Sequence, residues 1–296
     1  MVAEIINGNE VAKSIRAELK EVVAKMKADG VVPGLVVIIV GEDPASQVYV
    51  RKKGEACAEL GLHSETIRLP ASTTEEELLK LIDKYNADPK FDGILVQLPL
   101  PKHISEEKVL IRIDPGKDVD GFHPTNVGKM VVGAESYLPC TPAGIQDLLV
   151  RSGNDPKGKH VVVLGRSNIV GKPITNILLQ KAPGADATVT ICHSRTKDLP
   201  SFTRQADILI AAMGVPQFVK ADMVRDGVVV IDVGVNRIKD PNAKSGQRLV
   251  GDVDYEDVRQ KAKAITPVPG GVGPMTITML MKNTVKAAKI HHGWNG

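Results

Sequence analysis

The chain of 296 residues is 43% apolar and 25% charged, which suits a globular protein with room for two cores. A net charge of +3 argues against a dedicated nucleic-acid surface and is compatible with an anionic small molecule. With no basic-then-apolar leader and no apolar run of membrane-spanning length, the expectation is a cytoplasmic protein without membrane contact.

Apolar Val11, Ile15, Leu19, Val22, Val23 and Met26 recur at helical spacing, which predicts a helix over residues 10–27. Residues 35–40 are all apolar and stop at Gly41, the pattern of a strand covered on both faces. Asp43-Pro44 then caps a helix that runs to Leu60 and ends at Gly61. A strand over 63–69, a capped helix from Ser72-Thr73-Thr74 to Tyr85 and a strand over 91–97 give the first half a β-α-β-α-β order. Residues 98–101 and 114–125 are rich in Pro, Gly or Asp and read as loops, and Thr141-Pro142 opens a helix that reaches Ser152.

The apolar run 161–164 stops at Gly165, where Arg166 and Ser167 place donors before a helix over 169–181. A strand over 187–192 completes a β-α-β unit of dinucleotide-binding type. The fingerprint G-x-G-x-x-G is absent, since no glycine stands between Gly165 and Gly171, so a buried strand with an ordinary glycine turn is the alternative. Where a NAD site carries an acid, this chain reads Cys192-His193-Ser194-Arg195-Thr196. A hydroxyl and a cation suit a 2′-phosphate, so the expected cofactor is NADP. Strands over 207–212 and 228–233 extend the sheet, 266–274 is a Pro-Gly loop, and a helix over 275–291 follows. The fold class is α/β, with two domains flanking a cleft, the second a Rossmann-like parallel-sheet nucleotide domain. The boundaries fall at 1–140, completed by 274–296, and at 141–273.

Tyr49 and Lys53 are four apart and share a helix face, a stacking surface beside a proton carrier. The alternative is a half-buried tyrosine next to a solvated lysine. Short-chain dehydrogenases also carry a Tyr-x-x-x-Lys pair, but after the Gly-rich turn, whereas this one precedes it. Gln97 closes the third strand, and Asp118 and Asp120 sit in the loop beyond. His123 and His193 lack partners at metal-ligand spacing, so no metal is expected, and His291-His292 read as a solvated tail. Cys57, Cys140 and Cys192 are odd in number and far apart, hence reduced and buried.

Together Tyr49-Val50-Arg51-Lys52-Lys53, Val96-Gln97-Leu98-Pro99-Leu100, Lys117-Asp118-Val119-Asp120-Gly121-Phe122-His123-Pro124, Gly165-Arg166-Ser167-Asn168-Ile169-Val170-Gly171-Lys172-Pro173 and Pro269-Gly270-Gly271-Val272-Gly273-Pro274-Met275-Thr276 resemble the bifunctional methylenetetrahydrofolate dehydrogenase/methenyltetrahydrofolate cyclohydrolase family. The resemblance spans nearly the whole chain, in the family's order. It implies oxidation of 5,10-methylenetetrahydrofolate by NADP, then conversion of the methenyl cation to 10-formyltetrahydrofolate, with domain 1–140 binding folate and 141–273 binding NADP. It also implies Lys53, Gln97, Tyr49 and Asp120 as catalytic residues. Lys53 would be the proton carrier, kept partly neutral by Arg51 and Lys52 and held by Gln97. Tyr49 would stack on the folate ring, Asp120 would take the pterin's amino edge, and Asp118 would shape the loop. Val96, Leu98, Pro269, Gly270, Gly271 and Pro274 would line the substrate. Gly165, Arg166, Ser167, Ile169, Gly171, Pro173, Ser194, Arg195 and Val235 would hold the cofactor. A homodimer formed through the nucleotide domain is implied as well. The competing readings are a dehydrogenase without the hydrolytic step, NAD-linked in one version, and a non-catalytic folate or NADP binder, which would be expected to lack Lys53 or Asp120.

Overall fold

A computed structural model describes residues 3–241 and 246–296. Strand β1 (Glu4–Ile5) precedes helix α1 (Gly8–Ala28), which buries Ile15, Leu19, Val23 and Met26. The helix starts before residue 10 because Asn7 Oδ1 accepts the N–H groups of Asn9 and Glu10, at 3.1 and 3.4 Å. Strand β2 (Gly34–Val40) is buried at every position. Helix α2 (Pro44–Leu60) is capped by Asp43, whose carboxylate accepts the Ser46 N–H at 2.8 Å, and ends at Gly61 with φ 77°. Strand β3 (His63–Leu69) is mostly exposed, and helix α3 (Glu75–Ala87) begins in a capping box between Thr74 and Glu77. Strand β4 (Gly93–Val96) joins them in a parallel sheet of order β3-β2-β4, so β2 is central and its all-apolar sequence follows. Two short helices, α4 (Glu106–Arg112) and α5 (Pro124–Val131), follow without having been foreseen in the sequence.

Helix α6 (Cys140–Arg151) leads to β5 (His160–Leu164), α7 (Gly171–Leu178), β6 (Thr188–Cys192), α8 (Leu199–Thr203), β7 (Ile208–Ala211) and β8 (Val229–Asp232). A hairpin of β9 (Asn236–Lys239) and β10 (Gln247–Val250), helix α9 (Tyr255–Val258), strand β11 (Ala264–Ile265) and helix α10 (Gly273–His291) complete the chain. The large sheet runs β1-β11-β8-β7-β5-β6 and is parallel throughout. From β5 the chain steps outward to β6 and then back across to β7. The order therefore reverses at β5, where doubly wound sheets open a crevice at their strand ends. Helix α7 is shorter than the reading of 169–181, because Ser167 Oγ accepts the Val170 and Gly171 N–H groups at 3.1 and 3.4 Å and holds residues 167–170 as a turn.

The chain divides into one unit of Ser14–Cys140 with Ile277–Gly296, and another of Met1–Lys13 with Thr141–Thr276. This corrects the reading of 1–140 as one piece. Residues before Ser14 belong with the large sheet because β1 pairs with β11, Glu4 opposite Ala264 and Ile5 opposite Ile265. The C-terminal histidines are not a solvated tail either. His291 Nδ1 and His292 Nε2 approach the buried Asp92 carboxylate at 3.0 and 3.3 Å.

Candidate functional site

In the first unit α2 carries Tyr49 and Lys53, and the chain leaving β4 carries Gln97. Lys53 is 7% exposed, and its Nζ donates to Gln97 Oε1 at 2.8 Å. Gln97 Nε2 donates in turn to the Leu98 carbonyl at 2.6 Å, which fixes which end of the amide faces the lysine. Burial lowers the Lys53 pKa, opposed by the negative charge of Asp120 and, less, by Cys140. The neighbours Arg51 and Lys52, expected to do this by repulsion, are exposed; Arg51 lies 3.7 Å from Glu55. Desolvation is the cause instead. Tyr49 is 39% exposed, which leaves part of its side chain accessible to a ligand.

Asp120 is half-buried, and burial raises its carboxyl pKa while Lys53 and a hydrogen bond with the Cys140 thiol pull the other way. Asp118 accepts the N–H groups of Gly121, Phe122 and His123 at 3.2, 3.2 and 2.8 Å, and Asn126 Nδ2 at 2.9 Å. It shapes the loop, and its burial pushes its pKa up to about 6. Two neighbours went unforeseen. Cys140 lies beside Asp120 with its thiol pKa raised by burial, and Asn283 on α10 donates to the Val119 and Leu138 carbonyls at 2.8 and 3.0 Å. A lone cysteine and one helical asparagine carry no spacing signal. The Val96 side chain lies in the core of this unit, which leaves only its backbone for a ligand, and Leu98 is half-buried. The loop of Pro269, Gly270, Gly271 and Pro274 groups with the other unit, where a Cβ on Gly8 would come within 1.7 Å of the Gly271 carbonyl oxygen.

In the second unit Leu164 and Cys192 are paired across β5 and β6, and the Gly165 N–H donates to the Cys192 carbonyl at 2.8 Å. The turn with Arg166 and Ser167 therefore leaves the sheet beside the one with Ser194 and Arg195, and all four are exposed. Gly165 has φ 112°, and a Cβ there would lie 2.1 Å from the Ala212 carbonyl oxygen; one on Gly171 would lie 2.0 Å from that of Gly165. The two glycines thus pack the turn directly against backbone, leaving no room for a side chain, and this close-held cradle, with two arginines and two hydroxyls at its rim, suits a dinucleotide bearing a 2′-phosphate. Ile169 and Val235 are exposed apolar residues, 50% and 54%, and Pro173 is buried at the start of α7. Among the described residues no cluster of three or more His, Cys, Asp or Glu could hold a metal, and no described helix is long and apolar enough to cross a membrane. Cys57, Cys140 and Cys192 are free and buried.

A family profile described as tetrahydrofolate dehydrogenase/cyclohydrolase, catalytic domain, matches residues 6–120, and its NAD(P)-binding domain counterpart matches 139–292. The chain is 60% identical over 294 residues to a bifunctional protein FolD of Syntrophobacter fumaroxidans, covering 99% of each. Among solved structures it is similar to the bifunctional FolD of Campylobacter jejuni, with 49% identity and a TM-score of 0.92 over 97% of this chain and 99% of that one. The Trypanosoma brucei dehydrogenase-cyclohydrolase, solved with NADP and an inhibitor, gives 42% identity and a TM-score of 0.92 over 98% of each.

Proposed function

This chain belongs to the tetrahydrofolate dehydrogenase/cyclohydrolase family, and from that premise we propose how its residues divide the two activities. The enzyme oxidises 5,10-methylenetetrahydrofolate to the methenyl form with NADP and hydrolyses that to 10-formyltetrahydrofolate. Folate chemistry is assigned to the unit of Ser14–Cys140 with Ile277–Gly296, and NADP to the unit around β5.

NADP supplies the hydride acceptor. Loss of hydride from a carbon between two nitrogens leaves a delocalised cation, so the first step requires the substrate held in position rather than a strong base. Tyr49 offers its ring to the pterin, and Asp120 accepts from the amino edge. Hydrolysis needs a proton taken from the attacking water and returned to a ring nitrogen. A buried Lys53, its pKa lowered, keeps a neutral fraction able to take that proton, and Gln97 Oε1 aims the amine. Asp120 then stabilises the ammonium formed, until the proton is passed on. Arg166, Ser194 and Arg195 take the 2′-phosphate, while Ser167, Ile169, Gly171, Pro173 and Val235 frame the rest of the cofactor. The same reading makes the enzyme a cytoplasmic homodimer, which the reduced state of the three cysteines suits.

The observation that carries this reading is the 2.8 Å contact of a buried lysine with Gln97. The test follows NADPH and the methenyl chromophore separately after methylenetetrahydrofolate and NADP are added. Both activities should appear. A methenyl signal that builds up and decays no faster than without enzyme would leave a dehydrogenase alone.

A further inference from the structure

Two aspartates that the assignments above leave unused, Asp232 and Asp252, are 3% and 0% exposed. Asp232 is the last residue of β8, and Asp252 follows β10. Asp252 Oδ2 accepts the N–H groups of Met213 and Gly214 at 2.6 and 2.8 Å, and Oδ1 accepts Asn236 Nδ2 at 2.9 Å. Its own backbone is held by Asp232, whose Oδ1 accepts the N–H groups of Asp252 and Gly234 at 2.9 and 3.0 Å, and whose Oδ2 accepts that of Val253 at 2.9 Å. The fit is tight on both sides: a Cβ on Gly251 would lie 1.8 Å from Asp232 Oδ2, and one on Gly234 would lie 2.2 Å from Asp252 Oδ1.

What these carboxylates hold is the floor of the cofactor cradle. The peptide after Ala212, whose N–H Asp252 captures, continues from the carbonyl against which Gly165 is packed. On the other side Asn236 and Gly234 flank Val235. With no exposed surface, Asp252 cannot touch a ligand, yet it ties the turn after β7 to the turn after β8, next to the switch point at β5. We infer that Asp252, backed by Asp232, is a positioning residue for NADP: it fixes residues 212–214 and 234–236 in the arrangement that receives the dinucleotide.

The inference rests on the assignment of this unit to NADP, so binding by the parent enzyme is measured first; a parent that does not bind NADP overturns both. In Asp252→Asn an amide replaces one acceptor oxygen with a donor facing backbone N–H groups or Asn236. The NADP dissociation constant from calorimetry and the KM for NADP should rise by about tenfold or more, with kcat at saturating NADP close to the parent's. Methenyl hydrolysis assayed without nucleotide should stay within about twofold, a split that a general loss of structure would not give. Asn236→Ala removes one partner of Asp252 and should raise the same constants roughly threefold. It decides the matter where Asp252→Asn does not fold. NADP affinity within about twofold of the parent in the folded variants overturns the inference, and so does a parallel fall of NADP affinity and cyclohydrolase rate.

Discussion

In the first unit the proposed proton carrier is withdrawn from water, and in the second the groups proposed to take the 2′-phosphate stand in it. Lys53 is 7% exposed, whereas Arg166, Ser194 and Arg195 project from adjacent strand ends into solvent. The two tasks require opposite environments. Proton transfer near neutral pH calls for a lysine that releases its proton easily, and burial provides that by penalising the ammonium form. Recognition of a phosphate calls for charge that persists at any working pH, which arginine supplies without burial. Carboxylates serve both units as loop anchors: Asp118 gathers three backbone N–H groups and an amide in the loop that carries Asp120, and Asp232 with Asp252 does the equivalent beside the cradle.

The contrast breaks most sharply at Lys53. Lys53→Met keeps the length of the side chain and removes the proton carrier, so cyclohydrolase turnover should fall by roughly 10²–10⁴ while calorimetry with NADP looks like the parent. An unchanged rate of methenyl hydrolysis would sink the role given to this lysine.

On the other side, changing Arg166 to Ala, or Ser194 and Arg195 together to Ala, removes charge-assisted hydrogen bonds of about 1.5–3 kcal/mol each. The KM for NADP should rise by roughly one to two powers of ten, that for NAD should move little, and hydrolysis should not change. Steady-state kinetics with both nucleotides would reveal an unaltered NADP/NAD preference, which would falsify the phosphate assignment.

Asp120→Asn tests the link between the two carboxylate uses. The folate KM should rise about tenfold with NADP binding spared. Because Asp120 favours the charged form of Lys53, its loss should also move the alkaline-rising limb of the cyclohydrolase pH profile to lower pH. A limb that moves upward, or a loss of NADP affinity, contradicts the placement.

The smallest effect concerns stability. Asp118 and Asp232 have pKa values raised to about 6 and about 7 by burial, from an ordinary 3.8. A carboxyl with a raised folded pKa binds more protons folded than unfolded between those values. Its stabilising contribution is complete below the unfolded pKa and is lost as pH rises through the folded one. The thermal midpoint should therefore decline by a few degrees between pH 5 and pH 8, since each pH unit of unmatched protonation is worth about 1.4 kcal/mol. Differential scanning calorimetry showing a rise over that interval would contradict the assignment.

Where local chemistry decides structure, the sequence was legible. The continuous apolar runs of β2 and β5 announced parallel strands, and Asp43-Pro44 and Thr74 marked helix starts that the structure caps through Ser46 and Glu77. What escaped was set by distant partners. Strand β1 is two residues long and partnered some 260 residues away, so it has no period to read. The depressed Lys53 was anticipated with a different cause: adjacent charges are visible along a chain, whereas desolvation arises only when distant segments fold around the side chain, and it outweighs the opposing charges of Asp120 and Cys140. Cys140 and Asn283 joined that neighbourhood through packing alone.

The pairing of Glu4–Ile5 with Ala264–Ile265 sets a condition on biosynthesis. A ribosome working from the N-terminus has long since released β1 before its neighbour exists, and the α2-bearing half likewise waits for Asn283 and His291 to reach Val119, Leu138 and Asp92. Neither half is a contiguous stretch of sequence, so nascent chains halted before residue 264 should expose an unpaired edge at β8 and an uncovered first unit to chaperones.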